Sequence, residues 1–286
     1  NNSLLIKHCL SIDVEGFCEG NCESFDIQEY FGRNTRERYE IESNINEILL
    51  FLEDHGIKCT FFILGIIAKE QPNIIKSIAE AGHEIGSHSY EHKRLFNMDY
   101  NMIKNTIERS KLLLEDVSGR KVYGFRAPEF SINEENIFVF DILCDLGFYY
   151  DSSVLPTNIH DVYGMAGVDR FIHSITDSLI EFPCATINIF GRKLPALGGG
   201  YFRLYPLFIT KMITMTYEKR RQPAMFYLHP FEIGSNYPKI DKISYTRKIR
   251  HYINIEKGKT RLTKLFKQFS FDSAINILNN NGFLEN

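Results

Sequence analysis

The apolar residues of the chain gather in short runs separated by segments of helical spacing, and polar residues collect where the runs end. Cys9-Leu10-Ser11-Ile12, preceded by Leu4-Leu5-Ile6, makes the first run, and Asp13-Val14-Glu15-Gly16 closes it. A run with so few interruptions predicts a strand buried on both faces that delivers carboxylates at its C-terminal end. With a period of two, Asp13 and Glu15 leave that strand on one face. Ile45, Ile48, Leu49 and Leu52 keep the spacing of an amphipathic helix over 41–55, and Gly56 stands where a left-handed C-cap belongs. Cys59 to Gly65 reads as a second buried strand. A helix over 72–81 follows, with Pro72 in its first turn and Gly82 after its last.

The alternation continues with a short strand at 83–86, a helix at 99–117 closed by Gly119, and a strand at 122–125 ending in Arg126-Ala127-Pro128. A helix at 133–146 is closed by Gly147, and a strand at 148–150 ends at Asp151. Residues 17–40 are polar and loop over the strand ends. Residues 155–200 mix short apolar pieces with Pro and Gly, including Gly198-Gly199-Gly200, a tight backbone feature. A helix over 206–220, a strand over 224–228 that delivers His229-Pro230, and two outer amphipathic helices, 259–268 and 272–280, complete the chain. Strand and helix in regular alternation predict a parallel α/β barrel or sheet, which places its chemistry at the C-terminal ends of the strands.

Composition narrows the picture. At 286 residues and 44% apolar, the chain can fill one large core. With no linker or repeat, one domain over 1–286 is expected, residues 230–286 being an extension packed on the barrel. A net charge of -3 and a pI near 6.3 give no reason to expect nucleic acid. Acidic residues dominate 1–60 and basic residues 211–270, which makes the C-terminal quarter either a solvated face or one that meets an anionic substrate or a membrane surface. Six scattered cysteines read as reduced thiols of a cytoplasmic protein, and Cys18 and Cys22 as loop thiols. No apolar run approaches the roughly 20 residues that span a bilayer, and no signal-peptide pattern is present, although a chain starting at Asn1 leaves a trimmed leader open.

The chemistry centres on Gly86-Ser87-His88-Ser89-Tyr90-Glu91-His92. Four residues make about one helical turn, so if this segment coils, His88 and His92 share a face and can hold one metal ion. A catalytic zinc site also needs a third protein ligand and an open position for water. Alone, the pair reads more readily as surface or capping histidines than as ligands. It gains weight because five predicted strand ends carry Asp13 and Glu15, His88 and His92, Arg126, Asp151, and His229, and in a barrel such ends converge.

In this order and spacing the residues resemble the polysaccharide deacetylases, the NodB-homology group classed as carbohydrate esterase family 4. The matching segments are Ser11-Ile12-Asp13-Val14-Glu15, His88-Ser89-Tyr90-Glu91-His92, Arg126-Ala127-Pro128, Asp151-Ser152-Ser153 and Leu228-His229-Pro230. Gly198 to Leu204, Tyr227 to Glu232 and Arg250-His251-Tyr252 further resemble the subgroup associated with exosortase and exopolysaccharide gene clusters. The resemblance implies a distorted, seven-stranded (β/α) barrel with extra C-terminal elements. It also implies a divalent metal, commonly zinc, and hydrolysis of an N-acetyl group from an amino sugar of a cell-surface polysaccharide or its lipid- or nucleotide-linked precursor.

On that reading Asp13 is the general base, Arg126 keeps it ionised, His229 protonates the leaving amine, and Asp151 holds His229 as imidazolium. The tetrahedral oxygen falls to the metal and a backbone N–H near Glu129 or Phe130. Phe130, Tyr201, Arg203 and Arg250 are candidates for substrate contact; Arg203, Arg247, Arg250 and His251 suit a phosphate if they are not surface or structural ion pairs. One departure matters. The family's usual metal-binding aspartate is replaced by Val14, which cannot ligate. Glu15 becomes the candidate third ligand beside His88 and His92, with ligation by Asp13 itself, or weak metal binding, as the alternatives. Two other functions stay open: hydrolysis of another C–N amide bond, such as a formamide or cyclic amide, and a non-catalytic carbohydrate-binding protein. His83 reads as structural, and Phe61 and Phe62 as core.

Overall fold

The computed structural model describes residues 6–17, 19, 36–157, 164–165, 167–239 and 245–283. Leu4, Leu5, Cys18 and Cys22 lie outside the described residues. The strands are β1 (Lys7–Val14), β2 (Thr60–Ile63), β3 (Glu84–Ser87), β4 (Gly124–Phe125), β5 (Tyr150–Asp151), β6 (His173–Ser174), β7 (Ile180–Glu181), β8 (Thr186–Ile189), β9 (Arg192–Pro195), β10 (Met225–Leu228) and β11 (Ser270–Asp272). The helices are α1 (Arg36–Asp54), α2 (Gly65–Glu70), α3 (Pro72–Glu80), α4 (Tyr100–Ser118), α5 (Val139–Asp145), α6 (Gly199–Leu204), α7 (Leu207–Lys219), α8 (Pro230–Ile233), α9 (Tyr245–Tyr252), α10 (Gly258–Phe266) and α11 (Ala274–Asn280).

Seven parallel strands lie side by side in the order β10-β1-β2-β3-β4-β5-β7, with β6 antiparallel on the far edge. The sheet curls, and a parallel bridge between Cys184, just past β7, and Met225 of β10 joins its two ends. The result is a distorted α/β barrel, within the barrel-or-sheet class that the alternation of elements predicts and as the resemblance implies, with β8 and β9 as a separate hairpin. None of the helices among the described residues is long and apolar enough to cross a membrane.

Strand parity decides what faces the inside of this barrel. Leu10, Ile12 and Val14 of β1 belong to the main core under the helices, as do Phe61 and Ile63 of β2, Ile85 of β3, Phe125 of β4, and Phe226 and Leu228 of β10. The alternate residues turn inward, where Cys9, Phe62, Tyr150, Ile180, Phe182 and Met225 form a second cluster. Continued to the C-terminal ends, the inward set reaches Asp13 on β1 and Glu15 just after it, His88 after β3, Arg126 after β4, Ser152 after β5, and His229 after β10. Val14 is wholly buried on the other face, among helix side chains. Period two, not side-chain reach, is therefore why Glu15 enters the lumen and Val14 does not.

Local signals set the helix ends. Asp99 caps α4 by accepting the Met102 N–H (2.8 Å), and Gly119 ends it at φ 65° with its N–H on the Glu115 carbonyl (2.9 Å). The predicted 133–146 helix is shorter, because Asn136 accepts the Asn133 N–H (2.7 Å) and donates to the Ser131 carbonyl (2.9 Å), holding a turn ahead of α5. At the C-terminus the predicted outer helix over 272–280 starts two residues late. Residues 270–272 instead form β11, which pairs with the first half of β1. The first N–H groups of α11 then enter the barrel floor, Ala274 donating to Thr60 Oγ1 (2.8 Å) and Ile275 to Glu84 Oε2 (3.0 Å).

Candidate active site

The segment from His88 to His92 is a loop, not the helical turn its spacing suggests. Ser89 sits at φ 66°, and its carbonyl accepts the Gly65 N–H (2.9 Å) and the Ser110 hydroxyl (2.8 Å), while the Tyr90 carbonyl accepts the Ile66 N–H (2.9 Å). These bonds to α2 and α4 force the loop to double back, which still brings both imidazoles onto Glu15. His92 Nε2 lies 2.8 Å and His88 Nε2 3.3 Å from Glu15 Oε2. One ligand atom from each of Glu15, His88 and His92 falls within 4.8 Å of the other two.

The donor set fits a divalent cation. His88 Nδ1–H donates to the Arg126 carbonyl (2.8 Å), which fixes the tautomer that leaves Nε2 bare for a metal. Two imidazoles and one carboxylate are a catalytic zinc ligand set with a position left for water. Burial alone would raise the Glu15 carboxyl, but the charges of His92 and His229 outweigh it and hold Glu15 well below the usual carboxylate range. Burial likewise opposes charge on His92, and Glu15 overrides it to lift that imidazole to about 9. A cation bound among these groups takes the place of such protons.

Asp13 stands two residues before Glu15 and is fixed by Arg126, whose Nη1 donates to Asp13 Oδ1 (2.6 Å) and to Ser11 Oγ (2.8 Å). Arg126 is wholly buried. Its Nη2 donates to Ser152 Oγ (2.8 Å), its Nε to the Ser152 carbonyl (3.1 Å), and its guanidinium lies 4.2 Å from the centre of the Phe62 ring. The guanidinium fixes Asp13 Oδ1, so that Oδ2 is the oxygen for a water.

His229 completes the lumen, its Nε2 3.3 Å from Glu15 Oε1. The expected partner, Asp151, is not beside it. Glu232 is: His229 Nδ1–H donates to Glu232 Oε2 (2.7 Å), and the His229 backbone N–H donates to the same oxygen (3.0 Å). Arg203 Nε donates to Glu232 Oε1 (2.6 Å), while Arg203 Nη1 reaches the carbonyls of His251 (2.6 Å) and Ile253 (3.1 Å). Burial opposes ionisation of Glu232, but Arg203 and His229 outweigh it and pull the carboxyl down to about 2. Burial similarly opposes charge on His229, and Glu15 together with Glu232 lifts it to about 9. Arg203, a candidate for substrate phosphate, is thus spent on Glu232 and on the C-terminal segment. Glu232 was missed as a functional residue although its signal was in the sequence: His229-Pro230-Phe231-Glu232 has the N-cap-to-N3 spacing of a capping box, and that box is present.

Asp151 fails to reach His229 because of parity. Tyr150 and Ser152 point inward, so Asp151 points out of the barrel, as does Glu181, its register partner on β7. Ser153 donates to Asp151 through its N–H (2.9 Å) and hydroxyl (2.6 Å), and Val154 N–H donates to Glu181 Oε1 (3.1 Å). Glu181 Oε2 is buried with no N–H or O–H donor, and the group it meets is the Asp151 carboxyl. Burial first, and Asp151 second, push Glu181 well above the usual range, so the pair shares one proton. A raised acid pKa stabilises the fold below the unfolded value and loses that stability as pH rises toward the folded one. Glu181→Gln keeps the donor and removes the titration. Its stability relative to wild type is therefore expected to grow from pH 5 upward, by about 1.4 kcal/mol per pH unit while the native carboxyl stays protonated. Urea unfolding at several pH values measures it, and a pH-independent difference would mean that the pair holds no shared proton.

Of the remaining candidates, Phe130 is buried against Tyr227 at 5.0 Å between ring centres, and its N–H is taken by the Ala127 carbonyl (3.1 Å). Glu129 and Phe130 both hold φ 52°, a left-handed conformation unusual for such residues, and Glu129 is clamped by Arg94 through Nε (3.0 Å) and Nη2 (2.6 Å). Tyr201 lies half-buried on α6 near Tyr205. Arg247 and Arg250 are on α9, and their side chains lie outside the described residues.

Residues 30–148 match the family described as polysaccharide deacetylase, and residues 152–279 match a domain of unknown function, DUF3473. The chain is 36% identical over 91 residues to a peptidoglycan-N-acetylglucosamine deacetylase of Bacillus cereus, covering 32% of this chain and 33% of that one. To a peptidoglycan deacetylase of Helicobacter pylori it is 29% identical over 166 residues, 57% of this chain and 54% of the relative. It therefore spans about a third to a half of the length of these two curated relatives. Among solved structures, a candidate polysaccharide deacetylase from Mycobacterium smegmatis superposes with a TM-score of 0.67 at 19% identity over 100% of this chain and 94% of that one. BA3943, a CE4 family pseudoenzyme from Bacillus anthracis, superposes with a TM-score of 0.54 at 17% identity over 96% and 66%. Likeness at these identities is one of fold. Asp13 and Glu15 precede both matched segments, His88, His92 and Arg126 fall in the first, and His229 and Glu232 fall in the second.

Proposed function

We propose that this chain, a member of the polysaccharide deacetylase family, is a divalent-metal-dependent hydrolase that removes the N-acetyl group from an amino sugar. The observation that carries the proposal is the convergence of Glu15, His88 and His92 between two other pairs, Asp13 with Arg126 and His229 with Glu232. Amide hydrolysis needs a polarised carbonyl, a base on one side and an acid on the other, and each has a candidate here.

When bound, the cation, zinc in this reading, polarises the acetamide carbonyl and lowers the pKa of a water. Asp13 Oδ2 takes the proton of that water as its oxygen attacks the carbonyl carbon. Arg126 holds the carboxylate in place through Oδ1. His229 gives its Nε2 proton to the leaving nitrogen as the C–N bond breaks, and Glu232 holds the ring by Nδ1 throughout. Acetate and a free amino sugar are the products. The sugar belongs, in this reading, to a cell-surface polysaccharide or to its phosphate-linked precursor.

Acetate release from a panel of N-acetylated sugars, free and phosphate-linked, tests the activity. Asp13→Asn keeps a hydrogen-bond acceptor for Arg126 but no base, and is expected to lower kcat by about 10²–10⁴-fold while bound metal is unchanged. Wild-type turnover in that variant would remove Asp13 from the base role. A metal-loaded wild type inactive on every N-acetylated sugar would favour a carbohydrate-binding protein.

A further inference from the structure

Hairpin β8–β9 and helix α7 lie outside the barrel. Tyr205, just ahead of α7, donates its hydroxyl to the Pro195 carbonyl at the end of β9 (3.3 Å). Tyr217, late in α7, accepts the Thr186 N–H and donates back to the Thr186 carbonyl, both at 3.0 Å. The base of the hairpin is thus held near both ends of the helix. The inner face of α7 buries Thr210, Ile213, Thr214 and Tyr217. The opposite face, where a surface helix carries polar residues, has Phe208, Met212 and Met215 at spacings of four and three, with Phe208 67% exposed. Leu204, the exposed last residue of α6, precedes this stripe.

The hairpin tip points the same way chemically. Ile189 is exposed and Phe190 wholly so. Phe190 and Gly191 hold φ 50° and 81°, the signs of a primed two-residue turn, and Asn188 Oδ1 accepts the Gly191 N–H (2.9 Å). Gly, Asn or Asp adopts the first position readily. A phenylalanine is strained there, and this one packs on nothing among the described residues. Within 186–221 the charge is one-sided: Arg192 follows the tip, Lys211 and Lys219 lie on α7 and Arg221 just after it, and Glu218, the one acid of that stretch, lies 3.6 Å from buried His8. The segment packed on Tyr217 from 169 to 171 adds one exposed acid, Asp169, next to Arg170.

We propose that this face docks the protein on an anionic lipid surface, with Phe190 and the α7 stripe entering the headgroup region and the basic residues meeting acidic headgroups. Exposed aromatic and aliphatic side chains bordered by Lys and Arg are the composition that interfacial binding requires, and the charge selects anionic over neutral lipid. The proposal stands independently of the hydrolytic reading, since no residue in it belongs to the site.

The test is co-sedimentation of the purified protein with vesicles of phosphatidylcholine alone and of phosphatidylcholine mixed with phosphatidylglycerol. Wild type is expected to pellet with the mixed vesicles and to be released by salt. Phe190→Ser with Phe208→Ser is expected to weaken partitioning about tenfold or more with unchanged thermal unfolding, because both side chains are exposed. Arg192→Glu with Lys211→Glu, whose fold has no stake in these charges, is expected to abolish the preference for the anionic vesicles. Wild type that stays in the supernatant with both vesicles overturns the proposal, and so do variants that bind as wild type does. A dimer seen by light scattering in wild type and lost in the phenylalanine variant would assign the face to a second copy of this chain instead.

Discussion

Glu15→Ala is expected to strip the protein of its divalent cation and to lower turnover by at least about a thousandfold, since Lewis-acid activation is worth several kcal/mol. Elemental analysis of wild type should find about one cation per chain, held by Glu15, His88 and His92. The sharper experiment adds Val14→Asp to Glu15→Ala. A carboxylate at position 14 restores the composition of the family's usual motif but not its placement, because the side chain at 14 faces the helix layer with Leu10 and Ile12. The double variant is therefore expected to stay metal-free and to lose stability from an unpaired buried charge. Rescue of metal and activity by Val14→Asp would show that β1 shifts register by one residue and would defeat the parity argument. Full metal occupancy in Glu15→Ala alone would pass the ligand role to another group, Asp13 first.

Glu232→Gln carries the second large effect. Gln fills the same space but cannot stabilise the imidazolium of His229, so kcat is expected to fall by about 10²–10³-fold with a smaller change in KM. It also leaves Arg203 buried without its counter-charge, and breaking such a pair costs about 3–5 kcal/mol. Arg203→Met separates the two consequences. It breaks the same ion pair but leaves Glu232 on His229 Nδ1, so unfolding in urea should move comparably in both variants while kcat falls much further in Glu232→Gln. Equal losses of kcat would reduce Glu232 to a structural counter-ion for Arg203.

Much of this site is legible along the chain. Asp13 and Glu15 share a face because Asp13 lies near the end of an eight-residue strand whose apolar run is unmistakable, and Glu15, two residues on, directly follows it. The strand–helix alternation implies a parallel sheet whose C-terminal ends meet, and it correctly gathers His88, His92, Arg126 and His229 at those ends. Misplacements occur where the local signal is too short or belongs to another scale. β5 has two described strand residues, so no periodicity reveals that Asp151 faces outward to Glu181. The four-residue spacing of His88 and His92 is compatible with a helix, and only bonds to Gly65, Ile66 and Ser110 turn the segment into a loop.

The sequence by itself determined which residues alternate inward and outward along the long first strand, and that strands alternate with helices closed by Gly56, Gly82, Gly119 and Gly147. Those are consequences of side-chain geometry within a few residues, which the order of amino acids contains directly. Only the tertiary structure decided that Glu232 and not Asp151 meets His229, that Arg203 serves Glu232 from 29 positions away, and that β11 joins β1 across nearly the whole chain. Each of those contacts depends on how the sheet closes and on which surfaces the last quarter of the chain must bury. Closure is a property of the row of strands from β10 to β7 taken together, and no local pattern encodes it.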